Sequence, residues 1–309
     1  ACPCDARYFA AVAANGVAAL FFVRTVGAPA ELCRFAAFDG TCTVQDAQWA
    51  RDPATGALLL AISARDRVRV FQVENLLQQQ QQSQETQQAS SVVVTVKELA
   101  TVRVPHAHQQ EQQQQKGANS TRQWAPVAWA RCGRGSAATL ALLSCDARGT
   151  IAAWILDAAH ARLAPAPAAL VRFVAGVHTR PVFNLVAAVL PGTDARTVAV
   201  SAGMDRTLAV WDCATGRKLW SVATLGGYVY AIDASPLEPR RAYFALGDNT
   251  IHSWNLPVSC SSVGNSTEKG STSSATLYEG RTFWKGLQAK VTCIALHPLL
   301  PGVVAYGLD

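Results

Sequence analysis

A short hairpin pattern recurs four times along this chain and constrains the fold more than any other feature of the sequence. The copies start at Leu60, Leu142, Ala199 and Tyr243 and read LAISARDRVRVFQV, LLSCDARGTIAAWIL, AVSAGMDRTLAVWDC and YFALGDNTIHSWNL. Each is a short apolar run, a polar turn containing Asp, and a second alternating run that ends on an aromatic residue. The repetition predicts an all-β chain built from similar hairpins.

The spacing of the hairpins indicates a larger repeating unit. Trp154, Trp211 and Trp254 end three copies and are separated by 57 and 43 residues, close to the ~40 to 45 residues of a four-stranded propeller blade. The segment WDCATGRKLW adds a Trp-Asp pair, a turn and a fourth strand, which completes one blade from Val182 to Val222. In these features the sequence resembles the WD-repeat β-propeller family.

That resemblance implies a partial WD-repeat β-propeller, with about four to five blades visible of a ring that has seven in typical members. The chain starts and stops inside blades, so we expect residues 1–309 to be a fragment of a longer protein. In the family a His, a Ser or Thr, an Asp and a Trp form a buried hydrogen-bond chain in each blade. The residues that match this structural tetrad are His178, Ser201, Asp205 and Trp211. A structural role for this His and Asp is favoured over a catalytic pair.

Two polar segments interrupt the repeats. Residues 76–121 contain two glutamine-rich tracts, and residues 258–276 are rich in Ser and Thr. Such compositions bury too little apolar surface to offset the entropy of ordering. We therefore expect both segments to be loop insertions between blade strands.

The strand that begins each blade carries the candidate binding residues. The segments FNLVAAVLPG, YVYAIDASPL and KVTCIALHPL superpose without gaps, and WAPVAWARCG fits the same frame. This alignment gives Trp124, Phe183, Tyr228 and Lys290 one equivalent position, where the innermost strand starts at the mouth of the central channel. Such rings either pack between blades or form a surface for stacking, and the sequence alone leaves both readings open. Tyr230, two residues further on, is expected to fill the core.

Basic residues accompany these aromatic positions. Arg180 and Arg206 flank them and Lys290 shares their frame, within a chain of formal net charge +6. Aromatic rings interleaved with cations are typical of single-stranded nucleic-acid binding, because bases stack on the rings and cations meet phosphates. The pattern therefore predicts a surface that binds single-stranded nucleic acid, with Arg180, Arg206 and Lys290 as its electrostatic residues.

A closer resemblance covers the second half of the chain. The ordered segments RPVFNL, SAGMDRTLAVWDCAT, LGGYVYAI, GDNTIHSWN and TFWKGLQAKVTCIALHP resemble the family of the fifth Gemin protein, the RNA-recognising WD-repeat subunit of the SMN complex. The resemblance implies recognition of the Sm site and methylguanosine cap of small nuclear RNA, and its delivery to SMN complex subunits and Sm proteins for spliceosomal snRNP assembly. It implies work in the cytoplasm and nucleus, and RNA- or cap-stacking roles for Trp124, Phe183 and Tyr228.

Other classes of function receive less support. The sequence has no phosphate-binding P-loop, no H-E-x-x-H helix and no G-x-S-x-G elbow, so we expect neither catalysis nor a cofactor nor a metal. No apolar run reaches the ~18 residues of a membrane span, so no membrane partner is expected. The main alternative is a WD-repeat scaffold that binds proteins and not RNA.

Overall fold

The computed structural model describes residues 2, 7–23, 28–40, 43–64, 67–75, 93–103, 125–132, 139–145, 149–157, 162–163, 170–174, 178–190, 196–213, 215–224, 227–235, 237–256, 281–297 and 299–309. Within these ranges the regular structure consists of β-strands alone. In the part of the chain so described, no helix is long and apolar enough to cross a membrane.

Three sheets have the four antiparallel strands of a propeller blade, joined in chain order. Their strands are β4 (Val44–Arg51), β5 (Leu58–Ala64), β6 (Arg67–Glu74) and β7 (Thr95–Arg103); β13 (Val182–Leu190), β14 (Arg196–Gly203), β15 (Thr207–Asp212) and β16 (Lys218–Ala223); and β17 (Val229–Ala234), β18 (Arg241–Leu246), β19 (Thr250–Asn255) and β20 (Arg281–Trp284). The second sheet corresponds to the blade expected from Val182 to Val222.

Three further sheets depart from the four-stranded form. They contain β1 (Tyr8–Val12), β2 (Val17–Phe22) and β3 (Ala30–Ala36); β8 (Val127–Cys132), β9 (Thr139–Cys145), β10 (Ile151–Asp157), β11 (Arg162–Leu163) and β12 (Leu170–Val174); and β21 (Val291–Leu296) with β22 (Val304–Leu308). The six antiparallel sheets make the chain all-β and propeller-like, which confirms the predicted fold class.

The chain packs as two compact units. The first comprises residues 1–131, 135–144 and 152–170, and the second comprises residues 132–134, 145–151 and 171–309. In each unit the second strand of a blade is the most buried element, as the uniformly buried β5 illustrates. A strand covered on both faces reads as a continuous apolar run, which is why the recurring runs were visible in the sequence.

One strand lies within the range predicted to be an inserted loop. Strand β7 occupies Thr95–Arg103 and pairs with β6 as the fourth strand of its sheet. The prediction that all of 76–121 is a loop is therefore wrong for this stretch. Between the two glutamine tracts the sequence VVVTVKELATVRV is rich in β-branched residues, which favour strands. The rest of that range, apart from 93–94, and the whole of 258–276 lie outside the described residues.

The innermost strands share a β-bulge near their first residue. The register shifts between Val182 and Asn184, between Val229 and Ala231, and between Val291 and Cys293. Each bulge inserts one residue opposite the partner strand. In the second unit the inserted residues are Phe183, Tyr230 and Thr292, which are therefore the equivalent positions.

This register corrects the gap-free alignment. Lys290 and Tyr228 are equivalent, because each directly precedes the valine that begins the bulge. Phe183 is displaced from them by two residues and corresponds to Tyr230. The alignment failed because β13 has nine residues and β17 has six, so matching their far ends shifts their beginnings.

A half-buried aspartate ties adjacent innermost strands together. In the second unit the backbone N–H of Leu296 on β21 donates to Asp233 Oδ2 on β17 at 2.8 Å, and the N–H of Ala234 donates to Oδ1 at 2.8 Å. Burial raises the pKa of Asp233, while these two hydrogen bonds oppose the rise. Asp46 makes the same kind of bond in the first unit, accepting from the N–H of Val127 at 3.0 Å.

We expect Asp233→Asn to lower the free energy of unfolding by about 1 to 3 kcal/mol. Both carboxylate oxygens accept backbone hydrogen bonds, and an amide offers one acceptor oxygen while its NH₂ group faces the other donor. Urea unfolding measures the change. Asp309→Asn, at an exposed carboxylate, is the control and should change stability by less than about 0.5 kcal/mol. Equal effects of the two substitutions would contradict the role of this tie.

Candidate nucleic-acid interface

Three aromatic rings form a contiguous cluster at the start of two neighbouring innermost strands. Phe183 on β13 stacks on Tyr230 of β17, with ring centroids 5.6 Å apart and planes inclined by 30°. Tyr228 stands edge-on to both, at 6.4 Å and 73° from Phe183 and at 6.4 Å and 84° from Tyr230. All three residues are half-buried. We call this group the ring cluster; it presents two nearly perpendicular aromatic planes.

Two cations lie over the tyrosines of the ring cluster. The guanidinium carbon of Arg206 is 5.2 Å from the centroid of Tyr228, and Lys290 Nζ is 4.3 Å from the centroid of Tyr230. Lys290 Nζ is also 3.6 Å from Asp309 Oδ2. Contacts of this kind are attractive because a ring face carries negative charge density. The cluster thus combines flat apolar faces with positive charge.

Arg206 reaches Tyr228 from an unusual backbone conformation. It lies in the turn between β14 and β15 with φ of 62°, in the left-handed region. The corresponding residues of two other blades are Gly149 and Asn249, with φ of 84° and 63°. Gly and Asn adopt this conformation readily, whereas a long side chain is disfavoured there. The turn geometry is therefore general, and the arginine is the exception.

Glycines leave room beside the rings. A β-carbon on Gly227, whose φ is 106°, would have no atom within 4 Å, so the backbone next to Tyr228 is open. A β-carbon on Gly247 would lie 3.1 Å from Cε2 of Tyr230. Gly247 also donates its N–H to the carbonyl of Tyr228 at 2.9 Å. Gly227 allows another molecule to approach the backbone beside Tyr228 closely, and Gly247 allows the backbone to turn tightly against Tyr230.

The structure brings together four of the candidate residues that the sequence singled out. Phe183, Tyr228, Arg206 and Lys290 belong to one arrangement. Arg180 is exposed before β13, and among the described residues it makes no cation–ring contact. Trp124 lies outside the described residues.

Tyr230 was expected to fill the core, but it is the ring that joins Phe183 to Lys290. A signal for this role is present in the sequence. A valine precedes the inserted bulge residue on each innermost strand, and Val182, Val229 and Val291 are all fully buried. Aligning on these valines pairs Tyr230 with Phe183.

The tetrad residues meet beside the same turn. His178 Nδ1 donates to Asp205 Oδ1 at 3.0 Å, and the hydroxyl of Ser201 donates to His178 Nε2 at 2.8 Å; this tautomer is assigned from the partners. The indole Nε1 of Trp211 is buried without a hydrogen-bond partner among the described residues. The contacts therefore join three of the four residues, and Trp211 contributes by packing.

Asp205 holds the turn that carries Arg206. Burial alone would raise the pKa of Asp205. The hydrogen bonds from His178 and from further donors lower this pKa by more than burial raises it. These donors are the hydroxyl of Thr207 at 2.7 Å and the backbone N–H of Thr179 at 2.9 Å. The pKa of Asp205 is consequently well below its usual range. The folded state thus favours the carboxylate, which organises the turn.

We expect the stabilising effect of Asp205 to disappear in acid. Because its pKa is lower in the folded than in the unfolded state, its contribution is complete above the unfolded pKa of about 4 and declines as the pH falls below that value. The stability difference between wild type and Asp205→Asn should therefore be constant from about pH 7 to pH 5 and shrink as the pH falls from about 5 to 2. Thermal or urea unfolding across this range measures it. A constant difference would contradict the assignment.

We expect Arg206→Gly to be more stable than Arg206→Ala by about 1 kcal/mol, because both lose the cation and only Ala keeps a β-carbon in the left-handed region. The order should reverse at Arg217, an exposed turn residue of the same blade outside that region, where glycine adds only unfolded-state entropy. Urea unfolding of the four variants makes the comparison. If Arg206→Ala is at least as stable as Arg206→Gly, the turn stores no backbone strain.

Within the described residues, no group of three or more His, Cys, Asp or Glu side chains could hold a metal ion. The rings and cations of the ring cluster offer stacking and charge attraction.

Sequence comparison relates part of the chain to known proteins. It is 32% identical over 132 residues to Gem-associated protein 5 of Homo sapiens, 33% over 121 residues to the protein of that name from Mus musculus, and 31% over 114 residues to Component of gems protein 5 of Dictyostelium discoideum. These matches cover 43%, 39% and 36% of this chain, but only 8%, 7% and 8% of the relatives. No family model matches the chain.

Comparison of structures supports the fold. The computationally designed Ika8 protein aligns with 98% of this chain and 66% of its own, at a TM-score of 0.52 and 17% identity. A chain of an active polycomb repressive complex 2 in the basal state aligns over 89% of this chain and 48% of its own, at a TM-score of 0.52 and 12% identity. At such identities the likeness concerns the fold alone.

Proposed function

We propose that this chain belongs to an RNA-binding WD-repeat protein that recognises the Sm-site region and methylguanosine cap of small nuclear RNA. The proposal includes delivery of that RNA to SMN complex subunits and Sm proteins for spliceosomal snRNP assembly, in the cytoplasm and nucleus. Its sequence support is the similarity of about two fifths of the chain to Gem-associated protein 5. The supporting structural observation is the ring cluster with Arg206 and Lys290 over its tyrosines.

The geometry of the rings fits unstacked bases. Tyr228 is nearly perpendicular to Phe183 and Tyr230, so a base that stacks on one plane presents its edge to the other. Stacking of a base on a protein ring contributes about 1 to 3 kcal/mol and tolerates any base, since each has a flat face. The ring cluster would thus supply affinity for single-stranded RNA.

The two cations fit the phosphates of the same strand. In the free protein each cation lies over a tyrosine face, which holds the side chain near the rings at little conformational cost. When a base takes that face, the flexible arginine or lysine can turn to the adjoining phosphate. Binding through such contacts weakens as salt increases. The proposed function needs no catalytic step, and we propose none.

RNA affinity should depend on the ring cluster. We expect Tyr228→Ala and Tyr230→Ala each to weaken binding of a capped RNA containing an Sm site by about 1 to 3 kcal/mol, measured by fluorescence anisotropy at fixed salt. Uncapped and Sm-site-scrambled RNAs of equal length measure the share contributed by each feature. Phe9→Ala is the matched control, because it removes a ring stacked on Phe21 at 5.1 Å and 14° in another sheet. It should leave RNA affinity unchanged.

The same experiment separates RNA binding from the main alternative. If the wild type binds no RNA, or if both tyrosine variants bind as the wild type does while remaining folded, the rings serve packing and a protein-binding scaffold is the better account. If binding is lost equally with all RNAs, the rings bind single strands without recognising the cap or the Sm site.

A further inference from the structure

We infer that Thr224 is a positioning residue for the candidate interface: its side chain fastens the turn of Arg206 to the segment that carries Tyr228. This inference rests on the proposed function for its RNA readout, and it concerns a residue to which the sequence assigned no role. Thr224 follows the last strand of one blade, and its side chain is buried. A buried hydroxyl requires hydrogen-bond partners, and the identity of its partners reveals what it connects.

Thr224 contacts the turn of Arg206 twice. Its backbone N–H donates to the carbonyl of Arg206 at 2.7 Å, which extends the β15–β16 ladder by one step beyond the pair Thr207 and Ala223. Its hydroxyl Oγ1 lies 2.9 Å from the same carbonyl. The carbonyl of the residue in the left-handed conformation is thus held from two directions.

The same hydroxyl contacts the segment before Tyr228. Thr224 Oγ1 lies 2.8 Å from the carbonyl of Gly227. A hydroxyl has one proton, so it is shared between the two carbonyls or alternates between them. Gly227 has φ of 106° and open space where a side chain would be. Its backbone conformation is therefore selected by hydrogen bonding more than by packing, and the threonine hydroxyl is the described donor to its carbonyl.

The consequence is geometric. Arg206 and Tyr228 belong to different blades, and the 5.2 Å separation of guanidinium and ring depends on how the two backbone segments are placed. Thr224 bonds to one segment and to the residue adjoining the other. A site whose supporting contacts are loosened binds less tightly even when every residue that touches the ligand is intact.

The first test compares two substitutions in the full chain. Thr224→Val has nearly the shape of threonine and keeps the backbone N–H but lacks the hydroxyl, whereas Thr224→Ser keeps the hydroxyl. We expect Thr224→Val to weaken binding of the capped Sm-site RNA roughly three- to tenfold and Thr224→Ser to stay within about twofold of the wild type. In a Tyr228→Ala background, Thr224→Val should have little further effect. Equal losses with and without Tyr228 would overturn the inference.

The second test requires no RNA. Arg206 is an exposed arginine followed by Thr207, so trypsin can cut between them when the turn opens; Arg217, exposed in the next turn of the same blade, gives an internal reference. We expect Thr224→Val to accelerate cutting at Arg206 at least about threefold relative to Arg217. Thr224→Ser should be cut at the two sites in the same ratio as the wild type. Unchanged relative cutting would overturn the inference whatever the RNA result. If the wild type binds no RNA but relative cutting rises, the proposed function fails and the structural fastening stands.

Discussion

A single extra residue at the start of each innermost strand determines which side chains meet at the candidate interface. Without the bulge, side chains alternate strictly between the two faces of a strand, and a shift of one residue exchanges those faces. The bulges of β13 and β17 place Phe183 and Tyr230 at equivalent points of adjacent strands, where their rings stack. Tyr228 remains outside the ladder and stands across the stack. The ring cluster is therefore a product of strand register.

Hydrogen bonds to buried backbone groups hold this register in place. Strands at the centre of a blade pair on both sides, but the ends of neighbouring innermost strands have no ladder between them. Asp233 meets this need at one end of β17, where it accepts from the N–H of Leu296 on β21. Asp205 and Thr224 bond to backbone groups of the turn that carries Arg206. These three polar side chains thus complete the hydrogen bonding of the backbone.

The sequence predicted the blades well because their pattern is local. Hairpins such as β14–β15 and β18–β19 carry an apolar run, a turn and an aromatic end, and the apolar run follows from burial of one strand on both faces. The relation between neighbouring strands was harder to predict. A bulge changes the register by one residue without altering the apolar pattern, so Tyr230 was assigned to the core. Strand β7 was missed because glutamine tracts flank it in the sequence.

The left-handed turn residue has a consequence for protein engineering. Repeat proteins are commonly redesigned by averaging their repeats, on the principle that the most frequent residue at a position is the most stabilising. At this turn the average of Gly149, Arg206 and Asn249 is a small residue suited to the backbone. A propeller with this averaged sequence would be more stable, and the turn of every blade would carry the same small residue in place of an arginine. The irregularity of these repeats thus carries the information that makes one blade different from the next.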